Sequence, residues 1–296
     1  MRNVRFNRGQ SLQAIKSLVC KTLVDCGVEA DEATAEYNIF IEFLTGLRPS
    51  QLLSGAAIEL DEKQLEQLDS FISKREKRIP IQYILEETYF MGLKLKVRPG
   101  VFIPRPDTET LVAVSIEKLN EIFPTGKISM LEIGSGSGAI PVALLKNLSR
   151  LDAVSLDVNR LALEVTSENA VLHEVDSRLV VEEESEWWKI GRMYDALISN
   201  PPYIPRHQQP GLQPEVGLHE PEAALFGTDE DGLGFYRQIC LHAREVVKPG
   251  GLIAVEVGDE QGESVRELFV DAGLREVSTH NDLNGIARVV SGRLPV

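Results

Sequence analysis

The sequence predicts an α/β domain with a mostly parallel sheet, preceded by a small helical bundle, and two observations carry that prediction. From Ile128 onward, runs of strand composition alternate with helical stripes, the pattern of a sheet whose crossovers are helices. Before about residue 75 the apolar residues recur at helical spacing instead. A chain of 296 residues exceeds what one hydrophobic core usually serves, so more than one domain is expected. The boundaries fall at residues 1–75 for the helical domain, 76–105 for a hairpin and linker, and 106–296 for the α/β domain.

The elements follow in order. Leu12, Ile15, Leu18, Val19 and Leu23 make one helical stripe between Ser11 and Cys26, and Tyr37, Phe40, Ile41 and Leu44 make a second. Ser50 is placed to cap a helix beginning Gln51-Leu52-Leu53, and Leu65, Leu68, Phe71 and Ile72 form a further stripe in a highly charged segment. The basic run Lys74–Arg78 ends at Pro80, and Tyr89 to Val97 has strand composition around Gly92, which reads as a hairpin. Seven strands are then expected at Met130–Ile133, Ala153–Leu156, Arg178–Val181, Ala196–Ser199, Leu252–Val257, Glu276–Thr279 and Ile286–Val290. Helices are expected between them at Ile140–Leu148, Leu161–Val171, Gly234–Val246 and Gln261–Ala272. Lys248-Pro249-Gly250-Gly251 reads as a helix stop, because proline cannot continue a helix and glycine accepts a left-handed cap.

Composition narrows the partners. Against 31 basic residues stand 45 acidic ones, a net charge of −14, which disfavours attachment to nucleic acid or to an anionic membrane and suits a protein substrate with a basic surface. Cys20, Cys26 and Cys240 are scattered without Cys-x-x-Cys spacing, which supports neither a disulfide framework nor a zinc site and points to a reducing compartment. Histidines 173, 207, 219, 242 and 280 show no metal spacing, so no metal is expected. Arg2, Arg5 and Arg8 are a weak hint of organelle targeting, but no apolar core follows them and no run reaches transmembrane length.

Three motifs carry chemistry. Leu131-Glu132-Ile133 leads into Gly134-Ser135-Gly136-Ser137-Gly138 at a strand-to-helix junction, where glycines let backbone turn tightly and approach a ligand. Its spacing differs from the dinucleotide Gly-x-Gly-x-x-Gly, and Asp157 at the end of the next strand suits ribose hydroxyls, which favours S-adenosylmethionine over NAD. Alone, the glycines fit a tight turn with no ligand, and Asp157 or Asn159 fits a helix cap. Asn200-Pro201-Pro202-Tyr203 ends a buried strand, and its prolines, with fixed φ and no N–H, keep the ladder from continuing. Asn200 Oδ1 and the Asn-Pro carbonyl supply two acceptors for a planar NH2 group, amide or base amine, and Tyr203 covers it. All three motifs fall at carboxyl ends of strands in one sheet, which makes the class I S-adenosylmethionine-dependent methyltransferase fold, Rossmann-like and mostly seven-stranded, the natural reading.

Over residues 76–296 the chain resembles the family that methylates the glutamine side-chain amide nitrogen in peptide chain release factors. The resemblance rests on Ile81-Gln82-Tyr83-Ile84, Pro99 to Glu109 and Asn200 to Pro205. It continues in Leu212 to Val216, Glu220-Pro221, Asp231-Gly232-Leu233 with Phe235-Tyr236, Glu256-Val257-Gly258, Gln261-Gly262 and Asp282-Leu283 to Arg288-Val289-Val290. Arg105-Pro106-Asp107-Thr108-Glu109 separates it from similar enzymes that act on a ribosomal-protein glutamine; its competing role is an Arg–acid pair locking a hinge. A nucleic-acid adenine N6-methyltransferase would use the same loop but would need a positive channel.

The resemblance implies S-adenosylmethionine as cofactor, bound by Gly134, Ser135, Gly136, Ser137, Gly138, Asp157, Asn200 and Trp187, the last as a flat wall for adenine. It implies that Asn200, Pro201, Pro202 and Tyr203 hold and activate the Gly-Gly-Gln glutamine of a class I release factor, while the compositional break near Lys74–Pro80 suggests residues 1–75 as a separate lobe that recognises it. A cytoplasmic monomer that contacts neither nucleic acid nor membrane follows. Two departures stand out: Glu86 occupies a position commonly glycine in relatives, and Val181-Glu182-Glu183-Glu184 is unusually acidic.

Overall fold

The computed structural model describes residue 6, residues 8–47, residue 51 and residues 59–296. The chain divides into two compact units, one of Met1–Glu86 with Pro214–His219, the other of Glu87–Gln213 with Glu220–Val296.

In the first unit, α1 (Leu12–Asp25) starts at Ser11, whose hydroxyl accepts from the Ala14 N–H. Helix α2 (Ala30–Thr45) ends at Gly46, and α3 (Glu62–Arg75) opens with a capping box between Asp61 and Gln64. The three apolar stripes close on one another through Ile15, Val19, Leu23, Phe40, Leu68 and Ile72, with the Phe40 and Phe71 rings stacked 4.0 Å apart. The cap at Ser50 with Leu52-Leu53 lies outside the described residues, as do Arg2 and Arg5. A short α4 (Ile81–Leu85) follows and stops at Glu86 in the left-handed region.

The basic run closing α3 is partly interior. Arg75 is fully buried, donating to both Glu36 oxygens at 2.7 and 2.8 Å and to Glu215 at 2.9 Å. Arg78 holds the same Glu215 through two bonds of 2.6 Å. Glu215 comes from α8 (Pro214–His219), a distant stretch of chain that belongs to this unit.

The second unit begins with a hairpin, β1 (Glu87–Phe90) against β2 (Leu93–Lys96). Both turn residues, Met91 at φ 50° and Gly92 at φ 72°, are left-handed, the geometry whose twist matches paired strands. Helix α5 (Thr108–Ile122), not singled out by the sequence reading, precedes the sheet. The strands are β3 (Ile128–Ile133), β4 (Leu151–Asp157), β5 (Leu179–Glu183), β6 (Tyr194–Ser199), β7 (Val247–Glu256), β8 (Arg275–Asn281) and β9 (Ala287–Arg293). Their order is β5-β4-β3-β6-β7-β9-β8, with β9 antiparallel to both neighbours and the other pairings parallel. Between them run α6 (Ala139–Asn147), α7 (Arg160–Leu172), α9 (Glu222–Leu225), α10 (Gly234–Val246) and α11 (Gly262–Asp271).

Strand alternation sorts the core into two layers. Met130, Ala153, Ile198 and Ala254 face Leu111, Val112 and Leu144, from α5 and α6. Their neighbours Leu131, Val154, Leu197 and Val255 face Tyr236, Ile239, Val265 and Phe269, from α10 and α11. Order reverses between β3 and β6, so the crevice at the carboxyl ends of these two strands is where such a sheet binds ligands.

One expectation is corrected. Helix α10 stops at Val246 and Val247 is already extended, so Lys248-Pro249-Gly250-Gly251 lies inside β7 and is not the helix cap. The glycines serve the strand instead: a Cβ at Gly251 would stand 2.8 Å from the Asp195 carbonyl oxygen, where pairing with β6 shifts register.

Candidate active site

The glycine loop turns directly off β3. Gly134 and Ser135 both donate to the Leu156 carbonyl, at 2.8 and 3.0 Å, which ties the loop to the end of β4. Helix α7 fastens its far side: Asn169 Nδ2 donates to the Ser137 carbonyl at 2.8 Å and Thr166 Oγ1 to the Gly136 carbonyl at 3.3 Å. This close approach explains Gly138, whose φ is +78° and whose Cβ would sit 2.9 Å from Thr166.

Asp157 stands across the loop. Its Oδ2 accepts from Gly136 N at 2.9 Å and from Ser135 Oγ at 3.4 Å, and its Oδ1 accepts from Asn159 N at 2.9 Å. A carboxylate offers about four acceptor positions, so Asp157 keeps about one for a ligand hydroxyl while its orientation is fixed. Capping of α7 falls to Asn159, which accepts from Leu161 N at 3.0 Å. Beneath the loop, burial pushes the fully enclosed Glu132 carboxyl well above its ordinary range against a hydrogen bond from Ser155.

The Asn200–Tyr203 loop leaves β6 beside the first. Ser199 Oγ donates to the Ile133 carbonyl at 2.7 Å, joining the two strand ends, and the Asn200 carbonyl oxygen lies 3.9 Å from where a Gly134 Cβ would be. Pro201 is buried. Asn200 Nδ2 donates to Thr108 Oγ1 at 3.2 Å, which commits the amide nitrogen and leaves Oδ1 as the acceptor end of the amide. After Tyr203 the chain is pinned by a bridge, Ile204 N to Leu225 O at 3.0 Å and Gly227 N to Ile204 O at 3.1 Å.

Sequence reasoning assigned no role to Gln261, Gly232 or Glu256, which surround Tyr203. Gln261 Nε2 donates to the Tyr203 carbonyl at 3.0 Å while its Oε1 accepts from Gly258 N at 3.1 Å. Gly232, at φ +74°, lies so close that a Cβ would run into the same Tyr203 carbonyl oxygen. Tyr203 Oη donates to Glu256 Oε1 at 3.4 Å. Burial raises the Tyr203 phenol, with Glu256 reinforcing it, so the hydroxyl stays a donor at working pH. Arg105 pairs with buried Glu220, which also accepts from Ile103 N at 3.3 Å, and Asp107 pairs with Arg288 at 3.1 Å. Each of these side chains lay in a string already singled out by resemblance, the one signal that pointed to them.

Trp187 is 3% exposed and belongs to the layer under α10, its ring edge-on to Trp188 and to His242. Its ring is taken up in packing, and Trp188 stacks on His242 at 4.5 Å. Among the described residues no group of three or more His, Cys, Asp or Glu is placed to hold a metal ion.

The chain's relatives bear on this geometry. A model of the PrmC N-terminal domain matches residues 18–85, and one of the methyltransferase small domain matches residues 92–216. A release factor glutamine methyltransferase of Geobacter sulfurreducens is 39% identical over 273 residues, 92% of this chain and 93% of that protein. Its counterpart in Caulobacter vibrioides is 34% identical over 272 residues, 91% of this chain and 92% of that one. A solved methyltransferase of Pyrococcus furiosus, 14% identical, shares the fold with a TM-score of 0.50 over 80% of this chain and 100% of its own.

Proposed function

We propose how methyl transfer runs in this chain, which belongs to the release factor glutamine methyltransferase family. Its substrate is the side-chain amide nitrogen of the glutamine in the Gly-Gly-Gln segment of class I peptide chain release factors. Its methyl donor is S-adenosylmethionine. When bound, that cofactor supplies a methyl group on a cationic sulfonium, an electrophile that a neutral nitrogen can attack.

The residues at the strand ends fit the cofactor. Asp157 would accept from a ribose hydroxyl with its remaining acceptor position, Gly134 to Gly138 would line the crevice with backbone, and Trp187 would flank the adenine. For the substrate, Asn200 Oδ1 and the Asn-Pro carbonyl accept the two amide N–H bonds and Tyr203 covers the planar group. An amide nitrogen is a poor nucleophile because its lone pair is shared with the carbonyl. Two acceptors draw the nitrogen toward tetrahedral geometry and aim its lone pair, and holding it there makes the encounter intramolecular. No base is needed beforehand: once methylated, the nitrogen is cationic and sheds its proton readily.

The single observation that carries this reading is the Asn200–Thr108 hydrogen bond, because it occupies the amide nitrogen and turns the acceptor oxygen away from Thr108. The first unit recognises the release factor, and the acidic balance of the chain suits a basic partner better than nucleic acid. The enzyme works in the cytoplasm, as a monomer. No helix among the described residues is long and apolar enough to cross a membrane.

The test is transfer of a tritiated methyl group from S-adenosylmethionine to release factor, ribosomal protein, ribosomal RNA and DNA side by side. Label on the Gly-Gly-Gln glutamine alone is expected. Label on a ribosomal-protein glutamine or on adenine, with release factor unlabelled, would replace this reading.

A further inference from the structure

We propose that Gln261 is a positioning residue for methyl transfer, whose side-chain amide fixes the peptide unit after Tyr203 and with it the direction from which the Tyr203 ring covers the target amide. The proposal rests on the reading of Tyr203 given above and deepens it.

The Asn-Pro-Pro-Tyr loop offers the protein few handles. Pro201 and Pro202 have no N–H to donate, and the Asn200 carbonyl is the acceptor kept for substrate, so the loop is secured at its two ends. At the first end, Ser199 Oγ donates to the Ile133 carbonyl at 2.7 Å. At the second, both polar atoms of the peptide unit joining Tyr203 to Ile204 are bonded. Ile204 N donates to the Leu225 carbonyl at 3.0 Å, and the Tyr203 carbonyl accepts from Gln261 Nε2 at 3.0 Å. A trans peptide unit is planar with its N–H and C=O pointing opposite ways, so bonds at both stop it turning and fix ψ of Tyr203.

The partners of Gln261 leave its amide one orientation. Its Oε1 accepts from the Gly258 N–H, a donor only, at 3.1 Å, so the NH2 end must face Tyr203. The second proton of that NH2 reaches the Asp231 carbonyl at 3.4 Å. One side chain thus ties together the segments that follow β6, precede α10 and follow β7. Gln261 is also the residue at the start of α11, where a polar side chain ordinarily caps the helix's own N–H groups. It makes no such capping bond.

Glycines make room for this arrangement. A Cβ at Gly258 would lie 2.9 Å from Tyr203 Cδ2 and 2.8 Å from Gln261 Oε1, so ring and amide both rest against bare backbone. The phenol end of the ring has its own partner in Glu256 Oε1 at 3.4 Å. Gln261 sets the remaining variable, the backbone from which the ring departs. Its loss would leave the Ile204 bond in place, so the ring would loosen rather than leave. That affects the geometry required for transfer more than the affinity for release factor, which draws on a larger surface.

The experiment compares wild type with two variants. Gln261→Met keeps the length of the side chain without its hydrogen bonds; Gln261→Glu keeps the acceptor for Gly258 but turns a carboxylate oxygen toward the Tyr203 carbonyl. Readouts are kcat and KM on release factor, calorimetric S-adenosylmethionine affinity, and fluorine NMR of the free enzyme with its six tyrosines ring-fluorinated, the Tyr203 signal being assigned with Tyr203→Phe. Expected is a roughly tenfold fall in kcat for Gln261→Met and a larger one for Gln261→Glu, toward the ~10²-fold of a misplaced reacting group, with KM and cofactor affinity within about twofold. The Tyr203 signal should shift in both. Introduced into Tyr203→Ala, Gln261→Met should cost nothing further, because what it positions is gone, whereas a general slackening of the loop would still be felt there. Wild-type kcat in both variants, a Tyr203 signal that neither moves, or a Gln261→Met loss undiminished in Tyr203→Ala overturns the proposal. A wild-type enzyme that leaves release factor unlabelled overturns the substrate reading instead, and the fluorine signal of the free enzyme then still decides whether Gln261 positions Tyr203.

Discussion

Asn200 can serve as an acceptor only while its amide is prevented from turning over, and the bond to Thr108 does that at 3.2 Å. Asn200→Ala should therefore cost on the order of 10²–10³ in kcat, the range for one oriented polar group, with a much smaller change in cofactor affinity. Asn200→Asp keeps an acceptor oxygen but adds a charge, so a retained rate would identify acceptance as the whole requirement. Wild-type turnover in Asn200→Ala would remove this residue from the mechanism. Asp157 makes a separate demand: with three backbone and hydroxyl donors already satisfied, its loss in Asp157→Ala should weaken S-adenosylmethionine by about 1–3 kcal/mol by calorimetry. The motif residues were legible because each loop announces itself locally, through glycines or paired prolines at a strand end. Thr108, Glu256 and Gln261 were not, because what they do depends on partners 92, 53 and 58 residues away.

At the scale of elements, strands and helices were legible wherever period and length agreed, and Gly234–Val246 is a helix with the expected bounds. The start of β7 was missed because Pro249 and two glycines look the same at a helix stop and at a bulged strand entry; only Asp195 decides between them. Lys248 donates to Asp195 at 2.8 Å and Ser129 donates to it twice, at 2.8 and 2.7 Å. These bonds hold the Asp195 carboxyl below its ordinary range although burial alone would raise it, and they lock the start of β7 to β6 and β3. Glu86 is the other local departure. It closes α4 at φ 58°, a conformation in which a Cβ crowds the following carbonyl and which glycine adopts without that cost. Glu86→Gly should relieve that crowding and raise stability by about 1 kcal/mol, read as an upward shift in thermal midpoint; a lower midpoint would mean that the Glu86 side chain contributes more than its backbone costs.

Across the whole molecule, each unit has a core closed on itself: the helical unit around Leu68 and Phe71, the methyltransferase unit in the two layers that flank its sheet. Separate cores predict separate unfolding, because cooperativity needs shared buried surface. Two calorimetric transitions are expected, and S-adenosylmethionine should raise only the one belonging to the sheet, by about 2.7 kcal/mol at a hundred times its dissociation constant. The buried Arg75 marks the other transition. Replacing it strands Glu36 without its cation and leaves Glu215 to Arg78 alone, so Arg75→Ala should lower the helical unit's transition by about 3–5 kcal/mol. The chain itself complicates the outcome, since Glu215 sits in α8, which is bonded at both ends to the methyltransferase unit yet pairs with Arg75 and Arg78. If α8 transmits unfolding, cofactor will raise both transitions together in wild type and only one in Arg75→Ala. If α8 is a passive strap, the cofactor will leave the helical transition unmoved in both proteins. A single transition that survives Arg75→Ala would instead show that the two cores unfold as one.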